Sequence, residues 1–421
     1  MTRPILALLI LLATSGCVRL TMAWADLDPS ERAEASPPVL EMLDGGGTVA
    51  SAGEWQAQRP AIRQALEENV YGTFPTGGEA RLVERRVIDD NYLGGLAVLE
   101  DWDIAVTAIY GGKQAEPALL HMAVMIPAAK ANAPVILMET FCRNHNTFPG
   151  TDVWRPEGDS MCDGDGIMND VMSYVFGRYI ATPPLEEIAR NGYAIAAFHP
   201  GDVVPDEAAA GQAALNDMAA PMTGDGERPG AIAAWGWLFS RAVDVLEADE
   251  RLADSAMISW GHSRYGKAAL VGAAWDDRID GVIAHQSGTG GAALSKEKVG
   301  ESVGQITDGY PHWFSDSYAA YAGREGGLPI DQHHLLALIA PRPVFLGNAR
   351  RDVWSDPAGT FLAAQGADPA WELLGSEGLE QETLRSFDPQ ADISVFIRPG
   401  THGITEEDWP AFLQFLDAHF R

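Results

Sequence analysis

The stretch Trp260–Ala268, WGHSRYGKA, governs how the rest of the chain is read. A serine stands between two glycines, after the apolar run AMISW and before the helix-like run RYGKAALVGAAWD. Gly261 lacks a Cβ where the chain must turn sharply, and Gly266 lets the new helix approach the sheet. This is the arrangement that exposes a nucleophilic hydroxyl above a sheet, with a helix N-terminus facing the reacting oxygen. The second glycine falls one place later than in the usual G-x-S-x-G, and two cations, Arg264 and Lys267, stand close behind. Serine and glycine are common in turns, so the motif acquires meaning only from its partners further along the chain.

A nucleophilic serine needs a histidine base, and that base needs a carboxylate to orient it and balance its charge. In hydrolases with a serine elbow of this kind the partners come in the order Ser, acid, His. Here the strand-like PVFLGNA leads into RRDVWSDP, and the last strand-like run, ISVFI, leads into RPGTHG. Asp352 and His402 therefore fall just past strand ends, on the side where Ser263 sits. Asp356 precedes Pro357 and reads as a helix N-cap with proline at the first helical position, which leaves Asp352 as the acid. Of ten histidines, His402 alone lies in a glycine-flanked turn between the last strand and the last helix. His285 lies within a strand and reads as core, and His262 reads as packing. His333 and His334 read as a helix start, because adjacent helix residues diverge and no third metal ligand is evident.

Short apolar runs at 119–127, 133–141, 193–200 and 256–261, then GVIAHQ, PVFLGNA and ISVFIRPG, alternate with helical patterns. The longest is PGAIAAWGWLFSRAVDVLEAD, and a final helix is expected over 406–420. Near-continuous apolar strands separated by helices predict an α/β fold with a mostly parallel sheet covered on both faces, a three-layer αβα sandwich. There is no internal repeat, so residues 26–421 read as one catalytic domain. Residues 26 to about 110 show no clear pattern and are expected to wrap onto the same core. An insertion at about 142–185, rich in Gly, Asp, Asn and Pro, lies between two strands, where such sheets bind ligands. A functional loop and a disulfide-braced surface loop are equally open readings of it.

The N-terminus reads as a signal peptide, with Arg3 before the short apolar run ILALLILLA. Cleavage after AWA, at Ala25, is the better fit. A lipoprotein site at TSGC, anchoring through Cys17, competes with it. Export makes the remaining pair, Cys142 and Cys162, a disulfide rather than a metal site. The mature chain carries no transmembrane segment, and a periplasmic or secreted location is expected. With 59 acidic against 29 basic residues the formal net charge is -30. Such a surface repels polyanions and excludes nucleic acid as a partner.

Together GHSRYGK, HQSGTGG, PHWF, LPIDQHHLLALIAPRPVFLGNARRDVWSDPAG and RPGTHG resemble carbohydrate esterase family 15, the glucuronoyl esterases, in its bacterial form. The resemblance is good over roughly 250–421 and weak at VYGTFP near Tyr71. It implies an α/β-hydrolase fold, cleavage of 4-O-methyl-glucuronoyl esters joining glucuronoxylan to lignin alcohols, and no metal or cofactor. A monomer is expected. By the same resemblance Ser263 is the nucleophile, His402 the base and Arg264 the oxyanion-stabilising arginine. Lys267, Glu301 and Trp354 are sugar-site residues, with Gln305 as a further contact. Many family members carry the acid in E-S-G-x-G-G after the strand that follows the nucleophile helix. This chain has Gln286 there, as either a hydrogen-bond partner of His402 or a turn residue, and bacterial members place an acid at the position of Asp352. The alternatives are an acetylxylan or other carboxylesterase, and an exported carbohydrate-binding pseudoenzyme.

Overall fold

The computed structural model describes residues 37–157, 162, 175–224, 226–296 and 298–421. The leader 1–25, with both processing sites and Cys17, lies outside them, as do residues 158–161 and 163–174 of the insertion.

Among the described residues ten strands form one sheet in the order β1-β2-β4-β6-β5-β7-β8-β9-β10, with the short β3 (Lys113–Gln114) paired to β2. The parallel part comprises β5 (Val135–Glu139), β6 (Ala194–Phe198), β7 (Met257–His262), β8 (Gly281–His285), β9 (Val344–Ala349) and β10 (Ile393–Arg398). These match the apolar runs, and β5 to β9 are buried along their whole lengths, as strands covered on both faces must be. Eight helices position the site and the core: α1 (Ala52–Leu66), α2 (Leu185–Arg190), α3 (Ala231–Glu247), α4 (Arg264–Trp275), α5 (Val303–Gly309), α6 (Gln332–Ala337), α7 (Pro357–Leu373) and α8 (Asp408–Phe420).

Neighbouring strand residues point to opposite faces, and the core divides accordingly. Leu137, Ala196, Val282 and Leu346 join Trp55 of α1, Trp235 and Phe239 of α3, Val271 of α4 and Trp371 of α7. Their sequence neighbours Ile136, Ile195, Ile283 and Phe345 face the other way, onto Ile188 of α2 and Trp409, Phe412 and Phe415 of α8. Truncating a fully buried ring such as Phe412 to alanine costs about 3–5 kcal/mol in cores of this kind.

The segment without a clear pattern holds α1 and two long antiparallel strands, β1 (Gly77–Asn91) and β2 (Ala97–Tyr110), followed by β4 (Ala118–Pro127). β1 is the edge strand and is exposed throughout 81–87. Register shifts at Leu82/Glu84 and Val87/Asp89 break its alternation, which is why no strand period shows in its sequence. Past the end of β5, Cys142 and Cys162 are joined by a disulfide with Cα atoms 5.7 Å apart. No helix among the described residues is long and apolar enough to cross a membrane.

Candidate active site

Ser263 connects β7 to α4 and is the N-cap of that helix, with φ 57° and ψ -122°. No regular element uses these angles, and a non-glycine residue holds them only where its surroundings impose them. Two hydrogen bonds do so here: Ser263 N donates to His285 O at 2.8 Å, and Lys267 N donates to Ser263 O at 3.2 Å. A Cβ on Gly261 would lie 2.0 Å from Tyr265 O, so only glycine lets the chain fold back this tightly.

Asp352 follows β9 and His402 follows β10. His402 Nδ1 lies 2.7 Å from Asp352 Oδ2, and Ser355 Oγ donates to the same oxygen at 2.6 Å. Burial alone would raise the pKa of Asp352, but the neighbouring imidazole and the Ser355 hydrogen bonds outweigh it and hold the carboxyl below its ordinary range. His402 reaches back across the sheet, and its ring lies 4.6 Å from that of His262, the residue before Ser263. Its side chain keeps 32% exposure, whereas that of Asp352 keeps 4%. The imidazole of His402 is open to the surface and the carboxylate that orients it is not.

Arg264 opens α4. Its guanidinium lies over Trp313 at 4.7 Å, Phe141 at 5.3 Å and Tyr310 at 5.4 Å, and it pairs with Asp206. Asp206 also accepts from Trp313 Nε1 at 2.7 Å and lies 3.1 Å from His312 Nε2. Burial opposes ionisation of this carboxyl, but His312, Arg264 and Trp313 together bring its pKa down to about 2. These groups come from the connections after β5 and β6 and from the turn after α5, so three loops fix one cation.

Lys267, one turn along α4, keeps only 4% exposure and donates from Nζ to Ser287 O. Burial lowers its pKa to about 7, against the pull of Glu301 and with the push of Lys298 and Arg264. Glu301 N donates to Trp354 O at 3.1 Å, and Thr289 Oγ1 donates to Glu301 O at 2.5 Å. Gly300 makes this approach possible: at φ 91°, a Cβ there would lie 2.2 Å from Val353 O. Trp354, on the 3-10 turn Val353–Ser355, is 47% exposed, an aromatic face left open beside Asp352. Gln305 closes a capping box on α5, its Oε1 accepting from Ser302 N at 2.9 Å. Gln286 spans the His402 turn, with Oε1 accepting from Gly403 N at 2.8 Å and Nε2 donating to Thr401 O at 3.4 Å. Its amide grips the backbone on both sides of His402.

Asp356 caps α7 through Gly359 N at 2.9 Å, and His333 and His334 lie in the first turn of α6. Sequence reasoning passed over Asp206, Phe141, Tyr310 and the roles of His312 and Trp313. The available signals were an acid a few residues beyond the predicted strand 193–200 and the aromatic-rich PHWF. It also passed over Glu139, fully buried at the end of β5, whose carboxyl oxygens find no hydrogen-bond partner among the described residues.

Known proteins are similar to this one over nearly the whole chain. The family model "Glucuronyl esterase, fungi" matches residues 176–375. A carbohydrate esterase of an unknown prokaryotic organism is 34% identical over 91% of this chain and 89% of its own. Among solved structures, an esterase of carbohydrate esterase family 15 from a marine bacterial metagenome, described as promiscuous, superposes with a TM-score of 0.78. It is 31% identical, over 94% of this chain and 99% of its own. A glucuronoyl esterase from Solibacter usitatus gives a TM-score of 0.73 at 31% identity, over 92% and 99% of the two chains. The sheet order and flanking helices are thus those of the α/β-hydrolase fold expected from the serine turn. With the serine elbow, the strand-end acid and histidine, and similarity at this level over both chains, this protein belongs to carbohydrate esterase family 15, the glucuronoyl esterases.

Proposed function

We propose that this protein hydrolyses 4-O-methyl-glucuronoyl esters between glucuronoxylan and lignin alcohols through a Ser263–His402–Asp352 acyl-enzyme mechanism. The observation that carries the reading is the strained Ser263 turn beside a histidine already bonded to a buried carboxylate. His402 takes the hydroxyl proton as Ser263 Oγ attacks the ester carbonyl. The tetrahedral oxyanion is held by Arg264 and by backbone N–H groups at the start of α4. One oxyanion donor is typically worth about 3–4 kcal/mol, and a charged donor belongs to the stronger class. As the ester C–O bond breaks, His402 returns the proton to the leaving alcohol. His402 then deprotonates a water that attacks the acyl carbon, glucuronate departs, and Ser263 regains its proton. Lys267, Glu301, Trp354 and Gln305 bind the sugar ring, and Gln286 steadies the His402 turn. Residues 26–421 act as one monomeric catalytic domain, exported after removal of the leader, a location that the Cys142–Cys162 bond favours.

Purified protein should release acid from methyl or benzyl glucuronate, and Ser263→Ala should abolish turnover. A second reading is a broader carboxylester hydrolase, favoured by the marine relative described as promiscuous. Comparable kcat/KM for acetylated xylan and glucuronate esters would select it. Binding of glucuronoxylan without turnover of any ester would refute both.

A further inference from the structure

Behind the nucleophile lies a line of polar groups that the triad does not account for. Arg398 Nε lies 2.8 Å from both carboxylate oxygens of Asp408. Asp408 Oδ1 lies 3.1 Å from His285 Nε2, and His285 Nδ1 lies 2.9 Å from His262 Nδ1. All four side chains are buried. An imidazole pair in a core costs the desolvation of its nitrogens, which an apolar pair of similar size would avoid, so its polarity calls for a reason.

The tautomers are set by this order. Asp408 is held ionised: burial works against its charge, but His285, Arg398 and the Thr405 N–H outweigh it. A bare ring lone pair at 3.1 Å from a carboxylate oxygen would be repelled by it, so His285 carries its hydrogen on Nε2 and accepts on Nδ1. His262 must then donate from Nδ1, which leaves its Nε2 a bare lone pair. The ring so fixed is the one lying 4.6 Å from His402, at 43° between planes, with Phe141 on another side at 5.7 Å. Burial first, and then the charged and titratable groups around it, His402, His285, Arg398 and Arg264, keep His262 uncharged.

We propose that His262 is a positioning residue for the catalytic base: a neutral imidazole, its hydrogen fixed on Nδ1 by His285 and Asp408, against which the His402 ring is held. Asp352 grips one atom of His402, which leaves the ring free to swing about that bond, and a flat neighbour removes the swing. Neutrality matters because His402 becomes an imidazolium during each acyl transfer, and a second cation at this separation would oppose it. The inference rests on His402 being the general base.

Nitrogen-15 NMR of the histidine-labelled full chain tests it, with His262→Gln assigning the signal. The expected result is a neutral His262 in the Nδ1–H form across the pH range of activity. In kinetics with benzyl glucuronate, His262→Phe keeps an aromatic ring without its nitrogens. It should lower kcat about tenfold with KM unchanged, as misorientation of a catalytic group does. A His262 found protonated or in the Nε2–H form overturns the proposal, even if the Phe variant does not fold. So does wild-type kcat in a folded His262→Phe. Turnover surviving His402→Ala would instead refute the reading of the base, a separate outcome that the tautomer measurement does not depend on.

Discussion

Asp352 and His402 are 50 residues apart in sequence and 2.7 Å apart in space. The cause is the sheet: β9 and β10 run parallel with Ala349 opposite Arg398, so the loops leaving both strands emerge side by side. Asp352→Asn keeps the shape of this contact but removes the charge that balances an imidazolium and fixes its tautomer. We expect kcat to fall roughly 10³–10⁴-fold, as in other triads. Gln286→Ala, which only loosens the backbone around His402, should cost about tenfold. Steady-state kinetics on benzyl glucuronate decide, and the reverse ranking refutes Asp352 as the acid.

Asp206 sets where Arg264 points. In Asp206→Asn the guanidinium keeps its three aromatic neighbours but loses its charged anchor. With Arg264 as the proposed oxyanion donor, we expect kcat to drop about 10–100-fold with little change in KM, because misaiming such a donor weakens the transition state alone. Loss confined to KM would place Arg264 in ground-state binding instead.

Lys267 gives a pH dependence of defined sign. Its native pKa of about 7 lies below the ordinary 10.5, so the folded protein loses this proton first as the pH rises. If the ammonium binds the sugar, KM for a glucuronate ester rises as the pH passes through about 7. Lys267→Met should raise KM roughly tenfold or more and remove that rise. The same shift affects stability. Between about 7 and 10.5 the unfolded chain binds one more proton here than the native protein, so this residue makes stability increase with pH over that window.

Glu139 acts in the opposite sense. Burial raises its pKa well above the ordinary 4.5, so the native protein keeps a proton that the unfolded chain releases. Its contribution to stability is present below pH 4.5 and is lost as the pH rises toward the native value. Glu139→Gln removes this titration. The variant's Tm should exceed that of the parent by a few degrees at pH 8, and the gap should shrink toward pH 5. Thermal melts at both values check this; a gap that grows on acidification contradicts a neutral Glu139.

The parts of the molecule that could be read from sequence are those governed by local rules. Apolar strands buried on both faces announce β5 to β10, and the turn chemistry of Gly261, Asp356–Pro357 and Gly400–Gly403 marks where each connection bends. Ser263, Asp352 and His402 emerge from the order of those connections. What could not be read depends on contacts between distant loops. Nothing near Asp206 in the sequence says that it meets Arg264, 58 residues on, or His312, 106 residues on. Lys267 taken alone reads as a solvated helix residue, yet it is buried because α4 packs against the turn holding Ser287. β1 escaped because its exposure and two bulges erase the alternation that identifies a strand.

Gln286 carries a consequence for how such a site can change over time. It directly follows β8, one strand in from β9, whose outgoing loop carries Asp352, and it already holds the backbone on both sides of His402. The sheet thus offers two adjacent berths from which a side chain can reach the histidine loop, and only one of them holds a carboxylate here. With Asp352 as the proposed acid, that acid is a removable part: Gln286→Glu could take over before Asp352 is lost, so the negative charge can migrate by one strand without Ser263, His402 or the fold being rebuilt.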